Sequence, residues 1–278
     1  MTAASPAIHP TAVIHPTATL GQGVSVGPFS VIGPGCVVGD ETVIASHVVL
    51  EANVRLGKNC QVASCAVLGG LPQDYSFGGE TSWVDIGDRS VIREYVTINR
   101  ATGEGQSTRL GEDCMIMAYT HIAHNCQLAD HVVLANAVQL AGHVHIGDHV
   151  FISGTCLVHQ FVKIGRLAFV CPFSGTRQDI PPFAMTEGRP EATVVGTNKV
   201  GLKRAGFSLD ERTRLKKAFH ILCYEGLNIT QAIEKIDAEL AMGGPVTELV
   251  AFLKASGRGI NRPDAGTTGT PSAETVGV

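Results

Sequence analysis

From Ile8 onward an aliphatic branched residue stands at every sixth position: Ile8, Ile14, Leu20, Val26, and so on without a miss to Leu68. The frame breaks, returns at Ile86, Ile92 and Ile98, breaks again, and then holds from Leu110 to Val170. The fifth place of each hexad is small or β-branched, as at Ala12, Ala18, Val24, Ser30, Cys36 and Thr42. One large and one small inward position per six residues matches neither the helical period nor a two-residue alternation. It predicts a short strand with a corner after it. Three such strands close a triangular coil of eighteen residues, and successive coils stack at ~4.8 Å. Each coil then buries its face on the next. The expected fold is a β-solenoid of hexapeptide repeats over residues 1–190.

The two breaks differ in character. Residues 69–85 read G-G-L-P-Q-D-Y-S-F-G-G-E-T-S-W-V-D, a Gly/Pro-rich insertion expected to project from the solenoid and to carry function. Gln73 and Asp74 are its polar candidates. Residues 100–109 are Gly/Thr-rich and read as mobile, with no assigned role. Past Val170 the frame decays, and Pro181 and Pro182 end the solenoid. An uncovered last coil would leave an open sheet edge, so a C-terminal α-helical domain is expected over 191–256. Ser208 and Glu211 form a capping box opening a helix at Leu209–Tyr224. Its apolar stripe is Leu215, Phe219 and Leu222. Further helices are expected at 230–242 and 246–255, and the Gly/Thr/Ser-rich residues 257–278 are expected to be a disordered tail.

The coil length also places four histidines. The hexads starting at Ile122, Leu140 and Val158 differ by eighteen, so they lie on one face of successive coils. His124, His143 and His159 fall within them at outward places, and His121 precedes the first. The four are expected to line one outer strip roughly 10 Å tall. Histidine suits general-base work near neutral pH. One imidazole polarising a hydroxyl, with a backbone N–H for the oxyanion, is enough to acylate an alcohol from an activated thioester. Gly142, beside His143, is where the backbone can approach a tetrahedral intermediate.

Composition narrows the picture further. The 32 glycines and few aromatics suit a solenoid, and the net charge of −4 argues against nucleic acid as a partner. Five of the eight cysteines (Cys36, Cys60, Cys114, Cys126, Cys156) occupy the small inward place and read as core filler in a reducing compartment. With no secretory leader and no transmembrane segment in the pattern, a cytoplasmic location is expected. The stretch 199–217 is basic and reads either as a solvated face or as a dock for an anionic partner.

The segments H-I-A-H-N-C (121–126), L-A-G-H-V (140–144), V-H-Q-F (158–161), P-Q-D (72–74) and G-L-K-R-A-G-F (201–207) carry a specific likeness. In that order and spacing, the chain resembles the UDP-N-acetylglucosamine O-acyltransferases that start lipid A synthesis. The resemblance implies a left-handed parallel β-helix and a homotrimer with active sites between neighbouring subunits. It implies no bound cofactor and a 3-hydroxyacyl chain delivered on the phosphopantetheine of acyl carrier protein. By matching position, His124 would be the general base toward the sugar 3-hydroxyl, and the Gly142 N–H would steady the oxyanion. Asp74, His121, His143 and Gln160 would hold the sugar and its acceptor region, with His159 lining the cleft. Asn198 and Arg204 would receive the UDP portion, and the basic helices would meet acyl carrier protein. Family members often carry Asp where this chain has Asn125, so orientation of the base without the electrostatic gain is expected here. An arginine often follows Arg204, where this chain has Ala205, which puts more weight on Arg204.

Three rival readings stand beside this one. Histidines from neighbouring strands could bind zinc as in a solenoid carbonic anhydrase, but the acidic and glutamine partners of that chemistry are not evident, and no metal is expected. Another hexapeptide acyltransferase could use coenzyme A or an amine acceptor. The amine-directed one of the same pathway carries an extra N-terminal domain, for which hexads beginning at Ile8 leave no room. A non-catalytic scaffold would leave the histidine strip and the P-Q-D loop unexplained.

Overall fold

The computed structural model describes residues 6–188, 190–240 and 243–263. The hexads form a triangular left-handed parallel β-helix. Most contribute a two-residue strand, as Val31–Ile32 or Gln139–Leu140, and pair in parallel with the strand eighteen residues on. The three sheets contain eleven, nine and eight strands. Ile8, Val26 and Val62 belong to the first face, Ile14, Ile122, Leu140 and Val158 to the second, and Leu20, Leu128 and Ile146 to the third.

Both inward positions are filled as the spacing requires. Ile32, Leu50, Ile92, Ile122 and Leu134 are fully buried, and so are Cys36, Cys60 and Val132 at the fifth place. A buried Val, Leu or Ile contributes about 1.5–3 kcal/mol, and a stack of coils repeats that gain at every level. Burial pushes the Cys126 thiol up to about 12 and Cys114 to about 11, which leaves both as unreactive packing groups. Most turns between faces use a left-handed residue. His131, His149 and Arg89 take that conformation at one corner and Asn125 and His143 at another, all with φ between 56° and 59°.

The two breaks leave the solenoid at one place. Across the first, the pairing offset rises to 30 (Gln61↔Val91), and across the second it is 24 (Val91↔Met115). Each insertion departs from a second-face strand, Val67–Gly70 or Thr97–Asn99, and returns on a third-face strand, Trp83–Ile86 or Ser107–Leu110. Both therefore project from the corner between those faces, in the two coils directly below His124. The second insertion is not loose. Gly105 N–H donates to Thr81 O, and Ser107–Leu110 pairs with Trp83–Ile86 over four residues. The reading of 100–109 as mobile does not hold, because the two insertions supply each other's backbone partners.

At the far end, strand Ala184–Glu187 joins the first sheet and turns back as Thr193–Thr197 in an antiparallel pair. Four helices cover this edge: α1 (Lys199–Arg204), α2 (Leu209–Tyr224), α3 (Ile229–Glu239) and α4 (Gly244–Ala255). The capping box of α2 is present, and Leu215, Phe219 and Leu222 are buried as its stripe requires. Helix α1 was not foreseen; α3 starts and ends earlier than expected, and α4 begins two residues sooner. Arg166 grips Glu248 of α4 at 2.7 and 2.8 Å while its guanidinium lies over Phe183. Residues 257–263 are held as well, contrary to a disordered tail. Asp179 N–H donates to Gly259 O, and Arg262 Nη1 donates to Leu222 O and Leu227 O. The rest of that tail, 264–278, lies outside the described residues.

Candidate functional site

The corner between the second and third faces gathers the candidate residues. Strand His121–Ile122 pairs with Gln139–Leu140, and that strand with Leu157–Val158, so the turns after them stack. His124, Gly142 and Gln160 occupy equivalent places in those turns. Gln73, His121, His124, Gly142, His159 and Gln160 line one groove of about 700 Å³ on the second-face side. His143 and Asn125 turn to the other side of the corner, where they line a second groove with Ser76, Glu80, Thr102 and Arg109. The strip of four histidines is thus divided by its own corner. The rings of His124 and His143 still meet edge-on, 5.2 Å between centroids.

His124 is 9% exposed, and each ring nitrogen has a distinct neighbour. Its Nδ1 lies 2.9 Å from Asn125 Oδ1. The identity of that amide atom follows from Thr102. The Thr102 N–H, which can only donate, lies 2.9 Å from Asn125 Oδ1, and Asn125 Nδ2 lies 3.0 Å from Thr102 O, which can only accept. The atom facing the imidazole is therefore oxygen, so Nδ1 carries the proton and Nε2 presents its lone pair. The Nε2 side faces Asp74 Oδ2 at 3.7 Å. Asp74 Oδ1 accepts from the Ser76 N–H and hydroxyl, and these bonds hold the carboxyl below its usual range. A carboxylate there stabilises an imidazolium formed on His124.

Gly142 sits against the same nitrogen: a Cβ on it would stand 2.5 Å from His124 Nε2. Its N–H has no acceptor among the described residues. His121 Nδ1 is 2.7 Å from Thr97 Oγ1. His159 Nδ1 lies 3.1 Å from Gln160 O and 3.2 Å from Arg258 Nη2, and one nitrogen serves one of these at a time. Asn198 and Arg204 line neither groove. Asn198 is the N-cap of α1: its Oδ1 accepts from Gly201 N–H and its Nδ2 donates to Leu167 O. Arg204 is exposed in the last turn of that helix.

Thr97, Thr102 and Glu80 were not singled out from sequence. The available signal was the phase of the breaks: each interrupts the frame after a second-face hexad, the same phase as Ile122.

Burial lowers the imidazole pKa of His121, His143 and His145, with the neighbouring His124 ring adding to it at the first two. A histidine resisting protonation in the folded state binds fewer protons than in the unfolded chain. Stability is then fully present above the free value of ~6.5 and falls as the pH drops below it. The melting temperature should be highest above neutrality and decline in acid, and His121→Asn should make that decline shallower. A decline of equal steepness in the variant would remove His121 from the linkage.

A left-handed solenoid of hexapeptide repeats is the architecture of the hexapeptide transferases. Their bacterial transferase hexapeptide family (six repeats) matches residues 17–52, 35–70 and 107–142. The family described as Udp N-acetylglucosamine O-acyltransferase, Domain 2, matches residues 179–261. The acyl-[acyl-carrier-protein]–UDP-N-acetylglucosamine O-acyltransferase of Anaeromyxobacter sp. (strain Fw109-5) is 42% identical over 74% of this chain and 80% of its own. The solved LpxA of Acinetobacter baumannii is 37% identical, covering 92% of this chain and 99% of its own with a TM-score of 0.87. The UDP-N-acetylglucosamine acyltransferase of Bacteroides fragilis is 34% identical over 91% and 99%, with a TM-score of 0.88. The chain belongs to the UDP-N-acetylglucosamine O-acyltransferase family. Among the described residues no helix is long and apolar enough to cross a membrane.

Proposed function

We propose that this protein transfers a 3-hydroxyacyl group from the phosphopantetheine thioester of acyl carrier protein to the 3-hydroxyl of UDP-N-acetylglucosamine, the first step of lipid A synthesis. The substrates come from the family; the observation that carries the mechanism is the orientation of His124, protonated at Nδ1 and open at Nε2 toward the groove. Nε2 takes the hydroxyl proton as the sugar oxygen attacks the thioester carbon. The Gly142 N–H donates to the oxyanion of the tetrahedral intermediate. Collapse breaks the C–S bond, and the imidazolium returns the proton to the departing thiolate. Asp74 stabilises the imidazolium meanwhile. Asp74, Gln73, His121 and Gln160 hold the sugar at the groove, His143 supports the His124 ring edge-on, and His159 lines the far wall.

Asn198 and Arg204 lie off the groove in a single chain, which supports a homotrimer in which α1 of a neighbouring subunit brings Arg204 to the nucleotide. Arg204 suits a diphosphate because its planar fork is permanently charged, and Asn198 acts there by capping the helix that carries it. The exposed cations of 199–217 suit the acidic surface of acyl carrier protein. Eight free cysteines fit the reducing cytoplasm. Purified protein given UDP-N-acetylglucosamine and a panel of 3-hydroxyacyl carrier proteins should yield an O-acylated sugar nucleotide. Product formed from coenzyme A thioesters but not from carrier-protein thioesters would overturn the assignment of the donor.

A further inference from the structure

The second insertion closes on the base from behind, through one residue. Thr102 gives both its N–H and its hydroxyl to Asn125 Oδ1, each at 2.9 Å, and receives Asn125 Nδ2 on its carbonyl at 3.0 Å. The Asn125 backbone is itself pinned, because its N–H donates to the buried Thr108 hydroxyl at 2.8 Å. Thr102 is in turn fixed from the first insertion. Glu80 Oε1 accepts from Gly103 N–H at 2.7 Å, Thr81 N–H donates to Glu104 Oε2 at 2.9 Å, and Gly105 N–H donates to Thr81 O at 2.7 Å. The loop that supplies Asp74 to one side of His124 thus anchors the loop that controls the other side.

We propose that Thr102 is a positioning residue for His124: it orients the Asn125 amide so that only oxygen can face Nδ1, holding the imidazole in the tautomer whose Nε2 is free. The inference rests on His124 being the base, and it states what keeps that base in working form in a chain with an amide rather than a carboxylate at position 125. A carboxylate at 125 would accept at Nδ1 whichever oxygen it turned. An amide has one oxygen and one NH₂, and a flipped Asn125 would direct a donor at Nδ1 and force the proton onto Nε2. The flip is opposed on this side by Thr102 alone. The same geometry makes Asp a poor replacement here, because its second oxygen would stand against the Thr102 carbonyl where Nδ2 now donates.

The test compares Thr102→Pro, which removes both donors to Asn125 Oδ1, the backbone N–H and the hydroxyl, with Thr102→Ser, which keeps both. Nitrogen-15 NMR of histidine-labelled protein reads the tautomer of His124 without any turnover, and steady-state kinetics reads the consequence. In Thr102→Pro the His124 signal should shift from Nδ1–H toward a mixture, with kcat lower by about tenfold to 10²-fold, the worth of two neutral hydrogen bonds. KM should be essentially unchanged, and Thr102→Ser should match the wild type in both readouts. A pure Nδ1–H signal with unaltered kcat in Thr102→Pro would overturn the proposal. So would a fall in kcat with the tautomer unchanged, which would reduce Thr102 to a structural part of the loop. Failure of the base assignment is separable, because it would appear as turnover surviving the loss of His124 whatever the tautomer in the Thr102 variants.

Discussion

His124→Ala should abolish acyl transfer, lowering kcat by about 10²-fold to 10⁴-fold or more, while leaving the fold and UDP-sugar binding nearly intact. The expectation follows from where the ring sits. It projects at an outward corner rather than into the aliphatic column, so its removal opens no cavity among the stacked coils. Proton transfer to Nε2 exists only as the reaction proceeds, so kcat and kcat/KM should fall together. The measurements are steady-state kinetics, a thermal melt, and calorimetric titration with UDP-N-acetylglucosamine. Near-normal turnover in a well-folded variant would be fatal to the base.

Gly142→Ala should be almost as damaging, through one methyl group. The backbone at Gly142 is not in the left-handed region, so alanine meets no torsional penalty there. The penalty is contact: the new carbon would stand 2.5 Å from Nε2 and 2.6 Å from Cε1 of His124. The imidazole cannot simply swing aside. It is 9% exposed, bonded to Asn125 and set edge-on to His143. The ring must leave its working position, and a displacement near 1 Å at a reacting group costs roughly 10²-fold in rate. Because the damage acts through His124, the double variant with His124→Ala should be little worse than His124→Ala alone. Additive losses in that cycle, or wild-type kcat in Gly142→Ala, would show that the contact does not govern the base.

The periodic part of this molecule was readable because every coil repeats one steric demand. A place for a large aliphatic group and a place for a small one recur each six residues, and Ile32, Cys36, Ile122 and Cys126 are buried as that rule requires. Ser208 and Glu211 likewise announced the start of α2, since a capping box is a local bargain between four consecutive residues. Coil length even placed the hexads of His124, His143 and His159 on successive coils of one face. It did not separate His143 from the other histidines, because a turn sends neighbouring side chains to opposite sides and the six-residue count is blind to that. The segment at 100–109 was misjudged for a related reason. Its order comes from Glu80 and Thr81, about twenty residues away, and no local composition records such bonds.

The coil, its hand-independent register and the turn on which each histidine falls therefore follow from the chain's own spacing, since each hexad repeats the same steric demand. The protonation geometry of His124 does not. It depends on Asp74 from one insertion and Thr102 from the other arriving within a few ångströms of one imidazole, and on Gly142 leaving room for it. Hydrogen bonds between irregular loops are set by distance and angle alone, and only the packed structure brings those two loops to the same corner.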